Sequence, residues 1–261
     1  MKQQLTIVKV GGKIVETPES LSLLLHNFST LPGLKVLVHG GGRTATDVAA
    51  QLGFETHMVN GRRITDADML RVVSMVYGGL VNKNVVAQLQ SCDVNALGLT
   101  GADMNVIRSH RRPLKDGIDY GFVGDVDKVN AEQLALLLRA GITPVMAPLT
   151  HDGQGHLLNT NADTIASEVA KALAQEFEVT LVYSFEHAGV LTDPNDEQSV
   201  IPVITPSSFE QLKANGTVSG GMLPKLENCL AAVKAGVSRV IITRADAIGT
   251  AQGTLIKGVM E

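Results

Sequence analysis

Six short runs dominated by β-branched and other apolar residues recur along this chain: TIVKV (6–10), LKVLVHG (34–40), VNALGLT (94–100), GITPVMAPL (141–149), VTLVYS (179–184) and SRVIITR (238–244). Hardly a polar residue interrupts them, so each reads as a strand covered on both faces rather than one with a wet side. Amphipathic stretches of helical length separate the runs. Strands and helices that alternate in this way admit few packings, and the expected class is α/β: a central, mainly parallel sheet between two helical layers, a three-layer αβα sandwich.

A chain of 261 residues with 44% hydrophobic content can bury a large core. One domain is expected over 1–261. The formal charge of −4 and the lack of any basic run exclude a general attraction to nucleic acid or anionic lipid. Cys92 and Cys229 lie far apart with no partner at metal-ligand spacing, so they suggest neither a zinc site nor a disulfide. At the N-terminus Lys9 breaks the apolar run too early for a signal peptide or membrane helix, and a cytoplasmic location is expected.

Three helices matter for placing chemistry. One starts near Ala162 with Asn161 as its cap, and Ile165, Val169 and Leu173 share a face. A second starts around Met222 to Pro224, which puts Lys225 in its first turn. A third is expected from Asp66 to about Gln90, capped by Thr65 with Asp68 three residues on and interrupted by Gly78 and Gly79. The polar, turn-rich stretch 107–130 reads as a hairpin or lid leaving the main sheet.

Two strands end in glycine turns. TIVKV presents Lys9 and then Gly11 and Gly12; LKVLVHG presents His39 and then Gly40, Gly41 and Gly42. In a parallel sheet both turns face one edge, where backbone amides and a lysine can meet an anion. Neither matches the P-loop or the dinucleotide fingerprint, which disfavours a nicotinamide-dependent dehydrogenase. His39, at the end of a buried strand, reads as a hydrogen-bonded structural histidine.

Taken in order, Lys9 with its glycines, the triple-glycine turn, NGRRIT (60–65), NTNAD (159–163) and GGMLPK (220–225) resemble the amino acid kinase family, and within it the acylglutamate kinases, over nearly the whole chain. The resemblance implies ATP-dependent phosphorylation of the side-chain carboxylate of N-acetyl-L-glutamate, a step of arginine biosynthesis, with Mg²⁺ as cofactor carried by ATP and no metal held by protein ligands alone. By the same resemblance Lys9 and Lys225 contact the transferring phosphoryl group and Asp163 holds both lysines. Gly41, Gly42, Arg63 and Asn159 bind the acylglutamate. Arg63 is preferred to Arg62 because the family pattern is Asn-Gly-any-Arg, a β-branched residue, then Thr. ATP falls to Gly11 and Gly12, to Glu186, His187, Ala188, Gly189, Val190 and Leu191, and to Thr217, Val218 and Ser219.

Residues 185–187, Phe-Glu-His, depart from the Ser/Thr-Asp-Val that relatives show there. The resemblance further implies an acylglutamate-binding lobe of about 1–175, an ATP-binding lobe of about 176–261, and a homodimer formed through the helix after Thr65. The first strand opens the chain without the extra N-terminal helix of arginine-inhibited relatives, as in arginine-insensitive ones. Two alternatives stay open: N-succinyl-L-glutamate as acceptor, and a non-catalytic amino-acid or nucleotide sensor of the same fold.

Overall fold

The apolar runs do form one sheet. In the computed structural model, which describes residues 2–59, 61–220 and 222–258, the main sheet takes β1 (Gln4–Val10), β2 (Leu34–His39), β5 (Ala96–Leu99), β8 (Thr143–Met146), β11 (Glu178–Phe185), β12 (Val203–Ile204), β13 (Arg239–Arg244) and β14 (Thr254–Ile256). Their spatial order is β12-β14-β13-β11-β1-β2-β8-β5. All neighbours are parallel except β13 and β14. β1 lies at the centre with a glycine turn at its C-terminal end, and β2 beside it carries the other, so both turns do share one edge.

The helices divide by strand periodicity. α1 (Gly12–Glu16), α2 (Pro18–Thr30), α3 (Gly42–Gln51), α4 (Ala67–Val73) and α5 (Asn82–Gln90) pack on the face that Val8, Val10, Leu37 and Val182 point to. α6 (Ala131–Arg139), α7 (Ala162–Leu173), α8 (Pro206–Ala214) and α9 (Met222–Lys234) cover the face of Leu5, Ile7, Leu181 and Tyr183. Because side chains alternate along a strand, Lys9 faces the same side as Ile7, and Phe185 the same side as Tyr183. That puts Lys9 and Phe185 opposite the starts of α7 and α9. Each fully buried Leu or Ile of these two cores contributes about 1.5–3 kcal/mol relative to exposure.

Two smaller sheets cover the edge. β6 (Ile107–Arg111) and β7 (Gly124–Val129) form the hairpin expected in 107–130, and β9 (Leu149–His151) and β10 (Leu157–Asn159) extend it to four strands in the order β10-β9-β6-β7. β3 (Met58–Val59) and β4 (Arg62–Arg63) make a short ribbon.

Three sequence expectations need correction. The run 141–149 is two strands in two sheets, β8 and the start of β9, because Pro148 has no N–H to continue a ladder and Leu149 N turns back onto Ala147 O at 2.8 Å. The cap of α4 is Asp66, whose Oδ1 accepts from Met69 N at 2.8 Å; Thr65 Oγ1 donates to Arg63 O instead. Gly78 and Gly79 do not break the helix: Ser74–Val81 is π-helical and joins α4 to α5 without a gap. Asn60 of NGRRIT and Gly221 of GGMLPK lie outside the described residues, as does the side chain of Pro224.

Candidate active site

Lys9, near the end of β1, is 7% exposed, and its Nζ lies 2.7 Å from Asp163 Oδ1. Asp163 stands there because Asn161 caps α7, its Oδ1 accepting from Asp163 N at 2.8 Å and Thr164 N at 3.1 Å. A carboxylate in a helix's first turn also suits the dipole. α9 brings Lys225 to the same place, where it lines a crevice with Asp163, Tyr183, Phe185 and Cys229. Its ammonium lies 4.1 Å from the centroid of the Phe185 ring. Burial holds the Lys225 pKa below the ordinary lysine value, against the pull of Asp163 and together with the repulsion of Lys9. Burial likewise pushes the Cys229 thiol up, so it stays protonated.

The glycine turns meet in front of these lysines. A Cβ on Gly40 would sit 3.4 Å from Gly12 Cα, which shows how closely the two backbones approach. Gly41 has φ +142°, and its Cβ would strike Tyr77 and Val81 of the π-helical segment at 3.2 Å; only glycine fits on both counts. Glu16 Oε1 accepts from Arg43 N at 2.9 Å and Thr44 N at 3.2 Å, so it takes up the first free amides of α3 beyond the turn. A cavity of about 180 Å³ lies between Lys9, Gly11, Gly12, Lys13, Glu186 and Lys225. It is lined by backbone and by three cations, with Lys13 paired to Glu186 at 2.5 Å.

A second cavity of about 200 Å³ opens on the other side of the triple-glycine turn and is lined by Gly41, Gly42, Arg63, Tyr77, Asn159 and Arg112 among others. Arg63 is 8% exposed. Its Nη2 donates to Gly42 O at 2.7 Å and Thr46 Oγ1 at 2.8 Å, and its Nη1 to Thr56 Oγ1 at 3.1 Å. Asn159 donates to Thr65 Oγ1 at 2.9 Å, which in turn donates to Arg63 O at 3.1 Å. This chain ties β10 of the lid sheet to the ribbon. Arg62 lines the same cavity but is exposed, and Arg112 is paired with Asp125.

The structure thus brings Lys9, Lys225, Asp163, Gly11, Gly12, Gly41, Gly42, Arg63 and Asn159 to one edge. The other expected nucleotide residues divide. Glu186 lines the lysine cavity, but the His187 ring pairs with Glu197. Ala188 N also donates to Glu197, at 3.2 Å. Gly189 packs against Thr254, whose Oγ1 accepts from Val190 N at 2.8 Å; Val190 and Leu191 are buried. Thr217, Val218 and Ser219 form the bend between α8 and α9, with Val218 in the core.

Sequence reasoning assigned no role to Phe185, Tyr77, Glu16 or Asn82. Asn82 completes the environment of His39: its Nδ2 donates to His39 Nε2 at 3.0 Å and to Val145 O at 3.0 Å, so Nδ1 carries the imidazole proton and donates to Gly40 O at 2.7 Å. Burial lowers the His39 pKa to about 4, outweighing the opposing bond to Gly40. His39 is the hydrogen-bonded structural histidine expected, and it fixes the first carbonyl of the glycine turn.

Comparison with known proteins identifies the family. Residues 4–244 match the model of the amino acid kinase family. A protein of Phocaeicola vulgatus named acetylglutamate kinase is 67% identical over 98% of this chain and 100% of its own length. One of the same name from Bacteroides thetaiotaomicron is 65% identical over 98% of this chain and 100% of its own length. Among solved structures, an N-acetylglutamate synthase from Neisseria gonorrhoeae superposes with a TM-score of 0.81 at 24% identity, over 98% of this chain and 59% of that one, a likeness of fold.

Proposed function

The chain belongs to the amino acid kinase family and, within it, to the acetylglutamate kinases, and from that premise we propose how its residues carry the transfer of the ATP γ-phosphoryl group to the side-chain carboxylate of N-acetyl-L-glutamate. The reaction yields an acyl phosphate and ADP and serves arginine biosynthesis. The observation that carries the reading is the pair of lysines converging on Asp163 in front of two glycine turns, between two cavities.

The acceptor carboxylate is ionised at neutral pH, so no base has to create the nucleophile. The obstacle is repulsion between that carboxylate and the γ-phosphate. As one carboxylate oxygen bonds to phosphorus and the bond to the β-phosphate oxygen breaks, negative charge spreads over the equatorial oxygens. Lys9 and Lys225 stabilise that charge, and the amides of Gly12 and of the triple-glycine turn donate to the phosphates at no cost in reorganisation, Gly11 N being held by Ser184 O at 3.1 Å. Asp163 sets the two ammonium groups apart. Arg63 and Asn159 hold the acceptor's remaining carboxylate and acylamino group.

Among the described residues no group of three His, Cys, Asp or Glu is placed to hold a metal ion. Mg²⁺ carried on the ATP phosphates would neutralise part of their charge. We place the acylglutamate on the lobe of about 1–175 and ATP on that of about 176–261, because the cavity at Arg63 is built from the first and the Lys225 side of the other from the second. Met75 and Leu80, 54% and 49% exposed on the helix at 67–90, support a second copy of the chain as partner, a homodimer. No described helix is long and apolar enough to cross a membrane, and the two free cysteines suit the cytoplasm.

One observation favours a second acceptor. Arg62 lines the acyl-side cavity besides Arg63, with Arg112 already paired to Asp125, and a succinyl group would bring a carboxylate for Arg62 to meet. The test of both readings is ATP-dependent acyl phosphate formation trapped as hydroxamate. N-acetylglutamate, N-succinylglutamate, free glutamate and aspartate are compared in parallel. Turnover with N-acetylglutamate foremost is expected; preference for the succinyl compound moves the acceptor, and no turnover with any overturns the proposal.

A further inference from the structure

The two cations of the site are held by different means. Lys9 has Asp163 at 2.7 Å, whereas burial is the largest influence on Lys225, with Asp163 and Glu186 acting on it only as nearby charges. What its ammonium meets is a ring: the Phe185 centroid is 4.1 Å from Lys225 Nζ and 5.3 Å from Lys9 Nζ. The ring is itself fixed. Phe185 ends β11, and Tyr183 two residues earlier stacks beside it with centroids 6.0 Å apart and planes 4° from parallel. Gly11 lies against its edge: a Cβ there would be in ordinary contact with Phe185 Cδ1 at 3.9 Å and tight only against Ser184 O at 3.1 Å.

We propose that Phe185 is a positioning residue for phosphoryl transfer, its π face seating the Lys225 ammonium beside Lys9 without adding negative charge to the site. With Lys13 and Glu186 paired to each other, Lys9, Lys225 and Asp163 leave the centre with one net positive charge. A second carboxylate would also hold Lys225, but it would cancel that charge and repel the incoming γ-phosphate and acceptor. The negative face of an aromatic ring attracts a cation through its quadrupole and carries no charge of its own. It also leaves the ammonium free to meet a phosphoryl oxygen without first breaking an ion pair. The lowered pKa of Lys225 reflects the same dry setting.

The inference rests on the kinase reading, and its test separates the two. Phenylalanine at 185 is replaced by its mono-, di- and trifluorinated forms, which weaken the ring's negative face at nearly constant size. In hydroxamate turnover with N-acetylglutamate, kcat is expected to fall stepwise with each fluorine. Phe185→Leu, with no π face, is expected to lose roughly 3- to 30-fold, the KM for acylglutamate staying within about twofold. A flat fluorine series overturns the proposal. A second readout needs no turnover: in protein labelled with ¹³C-lysine, the Lys225 Hε signals, assigned with Lys225→Arg, are expected upfield of other lysines by the ring current and to return in Phe185→Leu. Failure of the wild type to turn over with that shift present refutes the substrate reading; absence of the shift refutes the seat.

Discussion

Replacing Asp163 by asparagine keeps the shape of the side chain and removes the charge that Lys9 and Lys225 share. The Lys9 to Asp163 contact is 2.7 Å, with side chains 9% and 18% exposed, so solvent screens it little. A hydrogen bond between charged groups contributes about 1.5–3 kcal/mol, and an amide oxygen recovers only part of it. Lys225 loses as well, because Asp163 is the neighbour that holds its proton on. Together these raise the barrier by about 3 kcal/mol, roughly a hundredfold in kcat. Arg63 and Asn159 are untouched, so KM for acylglutamate stays within about threefold. The alkaline limb of the kcat profile moves to lower pH, since Lys225 deprotonates more readily. Steady-state hydroxamate kinetics from pH 6 to 10 read all three. A kcat within about threefold of wild type, with the limb unmoved, refutes the reasoning. A carboxylate that served only the start of α7 gives that result together with a loss of about 0.5–1 kcal/mol in stability.

Arg63→Lys keeps the charge but loses the planar fork that spans Gly42 O and Thr56; KM for acylglutamate rises about tenfold or more in steady-state kinetics while KM for ATP holds. His39 gives a pH dependence of stability. Its folded pKa of about 4 lies below the unfolded value of about 6.5, so the unfolded state takes up a proton first as pH falls. Stability is therefore whole above pH about 6.5 and is lost progressively toward pH 4, by about 3 kcal/mol for a fully buried imidazole. Urea unfolding of wild type and His39→Gln at pH 7, 5.5 and 4.5 is expected to show a shallower decline in the variant.

The sheet was legible because β1, β2, β11 and β13 are apolar on both faces, and a run of that kind has one use in a chain of this class. Short strands such as β12 and β14 were not, since two or three residues carry no period. Asn161 and Asp163 could be placed from sequence because capping is local. Thr65 could not be told from Asp66 as a cap: both suit it, and Thr65 is drawn off by Asn159, 94 positions away. Asn82, whose partner His39 lies 43 positions away, was invisible for the same reason, and Tyr77 because it sits in a π-helical turn that sequence periodicity does not signal. Phe185 did leave a trace, as the residue departing from the expected pattern, but its meaning needed Lys225, brought by α9 from 40 positions further on.

In the proposed mechanism two lysines, and no general base, carry a phosphoryl group from ATP to an N-acylglutamate carboxylate. Single-turnover transfer from [γ-³²P]ATP, followed as acid-labile acyl phosphate in wild type and Lys225→Ala, tests it most directly. Prompt label transfer is expected in the wild type, with a loss of about 100-fold or more in the variant and nearly equal ATP affinity in both. Equal transfer rates in the two proteins would contradict it.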